Sequence, residues 1–134
     1  MALEKQETRY VVDTDLIINH LRKAADLAAI LNPLAKDDAA FLVSSVTIAE
    51  VFAGKSSQDK KELEVIEKMF SVFEIIDVTG MIAQKGGEYA RDYAVPLLDA
   101  LIAATAFESG AVIITKNTKH FKKIPTVVLY NFAF

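Results

Sequence analysis

Three short stretches, Tyr10-Val11-Val12, Phe41-Leu42-Val43 and Val112-Ile113-Ile114, are apolar at every position rather than at every second one. A strand with one face in water alternates, whereas an unbroken apolar run suits a strand covered on both faces. Segments of helical spacing lie between these runs. The alternation of strand and helix within 134 residues points to an α/β domain whose parallel sheet is sandwiched by helices on both faces. The spacing predicts strands over residues 9–12, 41–43, 74–78, 112–114 and 126–130. Helices are predicted over about 14–22, 24–31, 47–53, 58–70 and 79–93, and from Pro96 to Ser109. Asn32-Pro33, Gly54 and Ser109-Gly110 supply stops. Ala83, Gly87, Ala90 and Ala94 set small residues on one helical face, where another backbone is expected to approach. No repeat, linker or low-complexity segment interrupts residues 1–134, which read as a single domain.

Open parallel sheets gather their sites beyond the carboxyl ends of the strands. Asp13 ends the first strand, Glu50 lies just past the second, and Asn117 lies just past the fourth. Asp99 stands in the helix entering the fourth strand, alone in the otherwise almost wholly apolar run from Leu97 to Phe107. A carboxylate taken out of water costs several kcal/mol unless a cation or a hydrogen-bond donor meets it. Two such acids on buried elements suggest one acidic pocket that needs a metal ion. Single residues leave other readings open. Asp13 suits a helix N-cap, and Asp15 suits the first helical turn, where the dipole favours an acid. Thr47-Ile48-Ala49-Glu50 matches a capping box. Asn117 is an ordinary turn residue, while Thr115 offers a hydroxyl and Lys116 a phosphate contact.

Composition narrows the chemistry. With no cysteine, thiolate metal sites and cysteine nucleophiles are excluded. His20 and His120 are the only histidines, and both read as structural or exposed. A metal site here is therefore built from oxygen, which favours Mg²⁺ or Mn²⁺ over Zn²⁺. No apolar run reaches the ~18 residues of a membrane span, and the charged N-terminus lacks a signal-peptide core, so a cytoplasmic protein is expected. Net charge is −3, which argues against a generic nucleic-acid coat. Its distribution is uneven: no acid follows Glu108, and the last 26 residues carry four lysines, Lys116, Lys119, Lys122 and Lys123. That segment either guides a phosphate backbone or is simply solvated.

The joint order of these blocks is more specific than any one of them. It runs from a strand into Asp13-Thr14-Asp15, then Ser44-Ser45-x-Thr47-x-x-Glu50-x-x-x-Gly54, then Leu98-Asp99-Ala100-Leu101-Ile102-Ala103-Ala104-Thr105-Ala106, then an apolar strand with Thr115-Lys116-Asn117-x-x-x-Phe121. This resembles the PIN-domain family, and within it the VapC-type toxins of toxin–antitoxin pairs, over residues 10–134. The resemblance implies a Rossmann-like sheet in strand order 3-2-1-4-5 and a Mg²⁺- or Mn²⁺-dependent endoribonuclease. Asp13, Glu50 and Asp99 correspond to the family's first three acids, with Asp13 and Asp99 holding the metal and Glu50 acting through its waters. Asn117 falls where a fourth acid often stands, so a second tightly held ion is in doubt. Thr115, Lys116 and Lys119 would meet the RNA substrate, whose cleavage would leave a 5′-phosphate and a 3′-hydroxyl. A small antitoxin, a homodimer and the absence of membrane contact are also implied.

Rival readings use fewer of these residues. A phosphotransferase of the HAD type, with Asp13 as nucleophile, leaves Asp99 and Glu50 unexplained. A receiver-like domain would pair Asp13 with Asp77, but Val12 stands where its first acid pair is needed. A degenerate PIN-like fold kept only for binding RNA or a protein would have Asn117 as its symptom.

Overall fold

The computed structural model describes residues 7–132. Four strands, β1 (Thr8–Val12), β2 (Ala39–Ser44), β3 (Glu74–Ile76) and β4 (Val112–Ile114), form one parallel sheet in the order β3-β2-β1-β4. Six helices connect them: α1 (Thr14–Leu21), α2 (Leu27–Ala35), α3 (Ser45–Phe52), α4 (Lys60–Phe70), α5 (Gly80–Tyr93) and α6 (Leu97–Ser109). Register aligns Val11 with Leu42 and Ile113, and Val12 with Ile114. Val11, Leu42 and Ile113 face one apolar cluster with α5 and α6. Val12, Val43 and Ile114 face a second cluster with α1, α2 and α4. Both sheet faces are covered, which is why these runs are apolar throughout.

The expected fifth strand is reduced to one parallel bridge between Ile113 and Leu129. Ile113 donates its N–H to Val128 O at 2.9 Å, and Tyr130 returns one to Ile113 O at 2.8 Å. Residues of a parallel strand address alternate neighbours. With Val112 and Ile114 turned toward β1, a three-residue β4 leaves only Ile113 for its outer edge. The order 3-2-1-4 thus holds, and the fifth position is occupied without a strand forming.

Three other expectations are corrected. Helix α2 starts later and runs through Pro33, capped by Asp26 on Ala28 N–H at 3.0 Å. The proline leaves the Ala29 carbonyl without its usual donor four residues on, and Ala29 is an exposed residue of the first turn, where such a group is readily tolerated. Helix α3 begins two residues before Thr47, at Ser45, capped by Ser44 Oγ on Val46 N–H at 3.1 Å. On α5 the close approach is made at Gly86. A Cβ there would lie 2.6 Å from Leu101 Cδ2 and 3.2 Å from Leu101 Cα, whereas one at Gly87 would meet nothing within 4 Å. Ala83, Gly87 and Ala94 are exposed, and the packed face is Ile82, Gly86 and Tyr89. Helix α6 is buried along most of its length, with Ala100, Ala103 and Ala104 fully so, and these small side chains let it lie between α5 and the sheet. Among the described residues no helix is long and apolar enough to cross a membrane.

Candidate functional site

The chain leaves β1 directly into α1, and the residue at that junction is Asp13. It is 5 % exposed. Oδ1 caps α1 by accepting Thr14 N–H at 2.8 Å, and Oδ2 accepts the Thr115 hydroxyl at 2.7 Å. The capping and functional readings are therefore compatible, since each uses one oxygen. Thr115, itself 1 % exposed, follows β4, and Asp13 N–H bonds Ile114 O at 3.0 Å. Pairing of β1 with β4 thus sets hydroxyl against carboxylate. Burial, and then the neighbouring charge of Asp15, push the Asp13 carboxyl up to about 8, although the Thr115 hydroxyl pulls it down.

Glu50 is reached by a chain of hydroxyls. Thr14 Oγ1 donates to Glu50 Oε1 at 2.8 Å and lies 2.9 Å from Thr47 Oγ1. Thr14 has one hydroxyl proton and gives it to Glu50, so Thr47 must donate to Thr14. The capping box expected at residues 47–50 does not form. Because α3 starts at Ser45, Thr47 and Glu50 lie three apart on one helical face, turned toward α1. This direct link brings Glu50 beside the Asp13–Thr14 junction.

Asp99 lies in the first turn of α6, half-buried, with Pro96 as a cap that offers no side chain. Burial raises its carboxyl above the usual range, His120 opposes this, and Asp15 adds to it. Asp15 therefore acts on both Asp13 and Asp99, and it is the carboxylate that links them. Sequence reasoning explained Asp15 by the helix dipole and passed over it. The available signal was its spacing, because an acid two residues beyond the strand-end acid on a new helix stays at the same sheet edge. His120 was also set outside the site. The buried neighbour Phe121 anchors its turn and places it near Asp99, and His120 Nδ1 is buried without a partner among the described residues.

The remaining candidates lie at the rim. Asn117 is exposed, and its backbone N–H, rather than its side chain, joins the network by donating to Thr115 Oγ1 at 3.0 Å. Lys116 and Lys119 are exposed on the same connection. Among the described residues Arg9 and Arg91 make their ion pairs elsewhere, with Glu7, Glu74 and Asp92. Among the same residues no three acidic or histidine side chains converge closely enough to enclose an ion by themselves. The donor set still fits a hard cation of the Mg²⁺ type. Such an ion keeps several waters and takes only one or two carboxylates from the protein. The buried Asp13 carboxylate, met only by neutral donors and crowded by Asp15, lacks the positive charge that such an ion would bring.

Comparison with known proteins identifies the scaffold that carries this site. The PIN domain profile matches residues 10–127. Ribonuclease VapC19 of Mycobacterium tuberculosis is 32% identical over 120 residues, which are 86% of this chain and 94% of that protein. A chain of VapBC2 from Rickettsia felis, bound to a DNA fragment from its promoter, superposes with a TM-score of 0.79 at 25% identity, covering 94% of this chain and 100% of that one. A chain of a toxin–antitoxin complex from Klebsiella pneumoniae gives 0.71 at 28% identity, covering 92% and 99%. The strand-end aspartate, the acid-bearing third and sixth helices and the closing Thr115 are thus found on a scaffold shared over nearly its whole length, and the chain belongs to the PIN-domain family, in its VapC branch.

Proposed function

We propose that this chain is a metal-dependent endoribonuclease, the toxin of a toxin–antitoxin pair, acting as a single domain in the cytoplasm. The observation that carries the reading is Asp13, a buried carboxylate held by two neutral donors and crowded by Asp15, which also acts on Asp99, with Glu50 tied to the same junction through Thr14. Asp13 and Asp99 would hold the ion, Mg²⁺ or Mn²⁺, with Asp15 between them. When bound, it supplies polarisation of a phosphodiester and activation of water. Thr115 fixes the orientation of Asp13 and walls the substrate side. The Thr47–Thr14 relay fixes Glu50 through Oε1 and leaves Oε2 to orient a water. Lys116 and Lys119 contact phosphates, and Asn117 marks the edge of the site. One missing acid at residue 117 suits one ion better than two. Asp13 does not suit the nucleophile of a phosphotransferase, because both its oxygens are hydrogen-bonded and it is buried.

The relatives described as VapBC and as a toxin–antitoxin complex support a small antitoxin as partner, its tail covering the acidic groove. Exposed Met81, Leu97, Leu98 and Phe107 on α5 and α6 support a homodimer through that face. The test of the catalytic reading is Asp99→Asn. It should cut RNA at least 100-fold more slowly than the parent, with an unchanged circular dichroism spectrum. EDTA should silence the parent, and Mn²⁺ or Mg²⁺ should restore it. Equal cleavage by Asp99→Asn would remove the assignment.

A further inference from the structure

Two clefts open on opposite flanks of the Asp13 junction, and they differ in charge. The one at Glu50, of about 470 Å³, sets Arg22 and Lys55 against Glu50, Asp59 and Glu62. The other, of about 430 Å³, begins at Thr115 and carries Lys116 and Lys122 with Tyr130, Asn131 and Phe132, and among the described residues no acidic side chain lines it. Its size falls in the ~300–1,000 Å³ range of small-ligand sites. The chain closes this cleft because Tyr130 N–H is tied to Ile113 O at 2.8 Å, which brings residues 130–132 alongside the end of β4. The Tyr130 ring is held by edge-to-face contacts at 6.2 Å from Tyr10 and 5.1 Å from Phe132.

We propose that the Thr115 cleft seats one nucleotide of the RNA strand next to the cleavage point, an inference that rests on the ribonuclease reading above. Thr115, whose hydroxyl contacts Asp13 at 2.7 Å, is one of its lining residues, so a strand whose phosphate sits at the acids continues from there into the cleft. Its cations meet a flanking phosphate, and the oriented Tyr130 ring offers a base a stacking surface. The exposed Asn131 side chain has a donor and an acceptor for a base edge, which makes it a specificity-determining residue. An acidic protein segment would use the lysines but not the ring or the amide, so RNA is the occupant that uses every wall.

The test measures binding of fluorescein-labelled single-stranded octaribonucleotides, one of each base, to the full chain carrying Asp99→Asn. Lys122→Ala should weaken binding about threefold and flatten the log affinity–log salt slope by about 0.7. Lys55→Ala, in the other cleft, should leave that slope unchanged. Tyr130→Ala should cost about 10-fold and Tyr130→Phe almost nothing. Asn131→Ala should alter the ranking of the four octamers. Unchanged slope and ranking in Lys122→Ala and Asn131→Ala, both at exposed positions, would overturn the proposal even if Tyr130→Ala failed to fold. Loss of octaglutamate binding with RNA binding intact would overturn it in favour of a protein partner. If the parent with Mn²⁺ cuts no RNA yet octamers bind through this cleft, the ribonuclease reading falls and the cleft stands. If it cuts RNA and the variants bind normally, the cleft falls alone.

Discussion

Replacing Asp13 with asparagine should make the metal-free protein more stable at pH 8, although it removes the central residue of the site. The Asp13 carboxyl is pushed from its ordinary 3.8 to about 8 by burial and by Asp15. The folded state therefore holds this proton more tightly than the unfolded chain. That contribution to stability is fully present below about pH 4 and is lost as pH rises through 8. The gap sets a ceiling of roughly 6 kcal/mol at 1.36 kcal/mol per pH unit. Only part of that span lies between pH 5 and 8, so a loss of about 2–4 kcal/mol is expected there. Asparagine keeps the acceptor for Thr14 N–H and turns an amide toward Thr115, whose hydroxyl proton then loses its 2.7 Å partner at a cost of about 1 kcal/mol. The variant should gain about 1–3 kcal/mol at pH 8 and lose about 1 kcal/mol at pH 4. Urea unfolding in EDTA, followed by circular dichroism from pH 5 to 8, reads this directly. Mn²⁺ should raise the parent's midpoint, more at pH 8 than at pH 6 because ion and proton compete, and should not raise the variant's. Parallel stability profiles for parent and variant would refute the reasoning.

The two adjacent glycines of α5 should respond with opposite signs. Gly86→Ala must displace Leu101 and should cost about 1–3 kcal/mol, while Gly87→Ala, in open space, should add about 0.5–1 kcal/mol. Thermal melts of both variants check this, and a shared sign would contradict the packing. Thr115→Val removes the donor to Asp13 and the acceptor for Asn117 N–H, so it should cost about 2 kcal/mol. Its cleavage should slow at least 10-fold with KM nearly unchanged, as steady-state kinetics on RNA would show.

The unbroken apolar runs at residues 10–12, 41–43 and 112–114 were enough to read a doubly covered parallel sheet, because burial on both faces leaves no polar position in a strand. Asp13 and Asp99 were legible for a related reason: a charge in an apolar setting demands an explanation. What escaped notice depended on information that one residue's own neighbours do not contain. Whether Gly86 or Gly87 meets Leu101 is set by the rotation of α5 against α6, and both glycines look alike in the chain. Pro33 reads as a stop, but the carbonyl it orphans belongs to the exposed Ala29. Ser44 and Thr47 are equally good caps locally, and the length of β2 decides between them. Asp15 carried an adequate local reason, the helix dipole, which hid its influence on Asp99 across the fold.

The central position of β1 has a consequence for how the protein is made. This strand is made before β4, one of its two partners, and Asp13 waits for a hydroxyl 102 positions further along. Such distant pairings form late. A nascent chain halted before about residue 112 has an open edge on its middle strand and an unmet carboxylate. Chains that stop short of β4 therefore cannot assemble the acidic centre, and the potential to cleave arises only once Thr115 has joined the sheet.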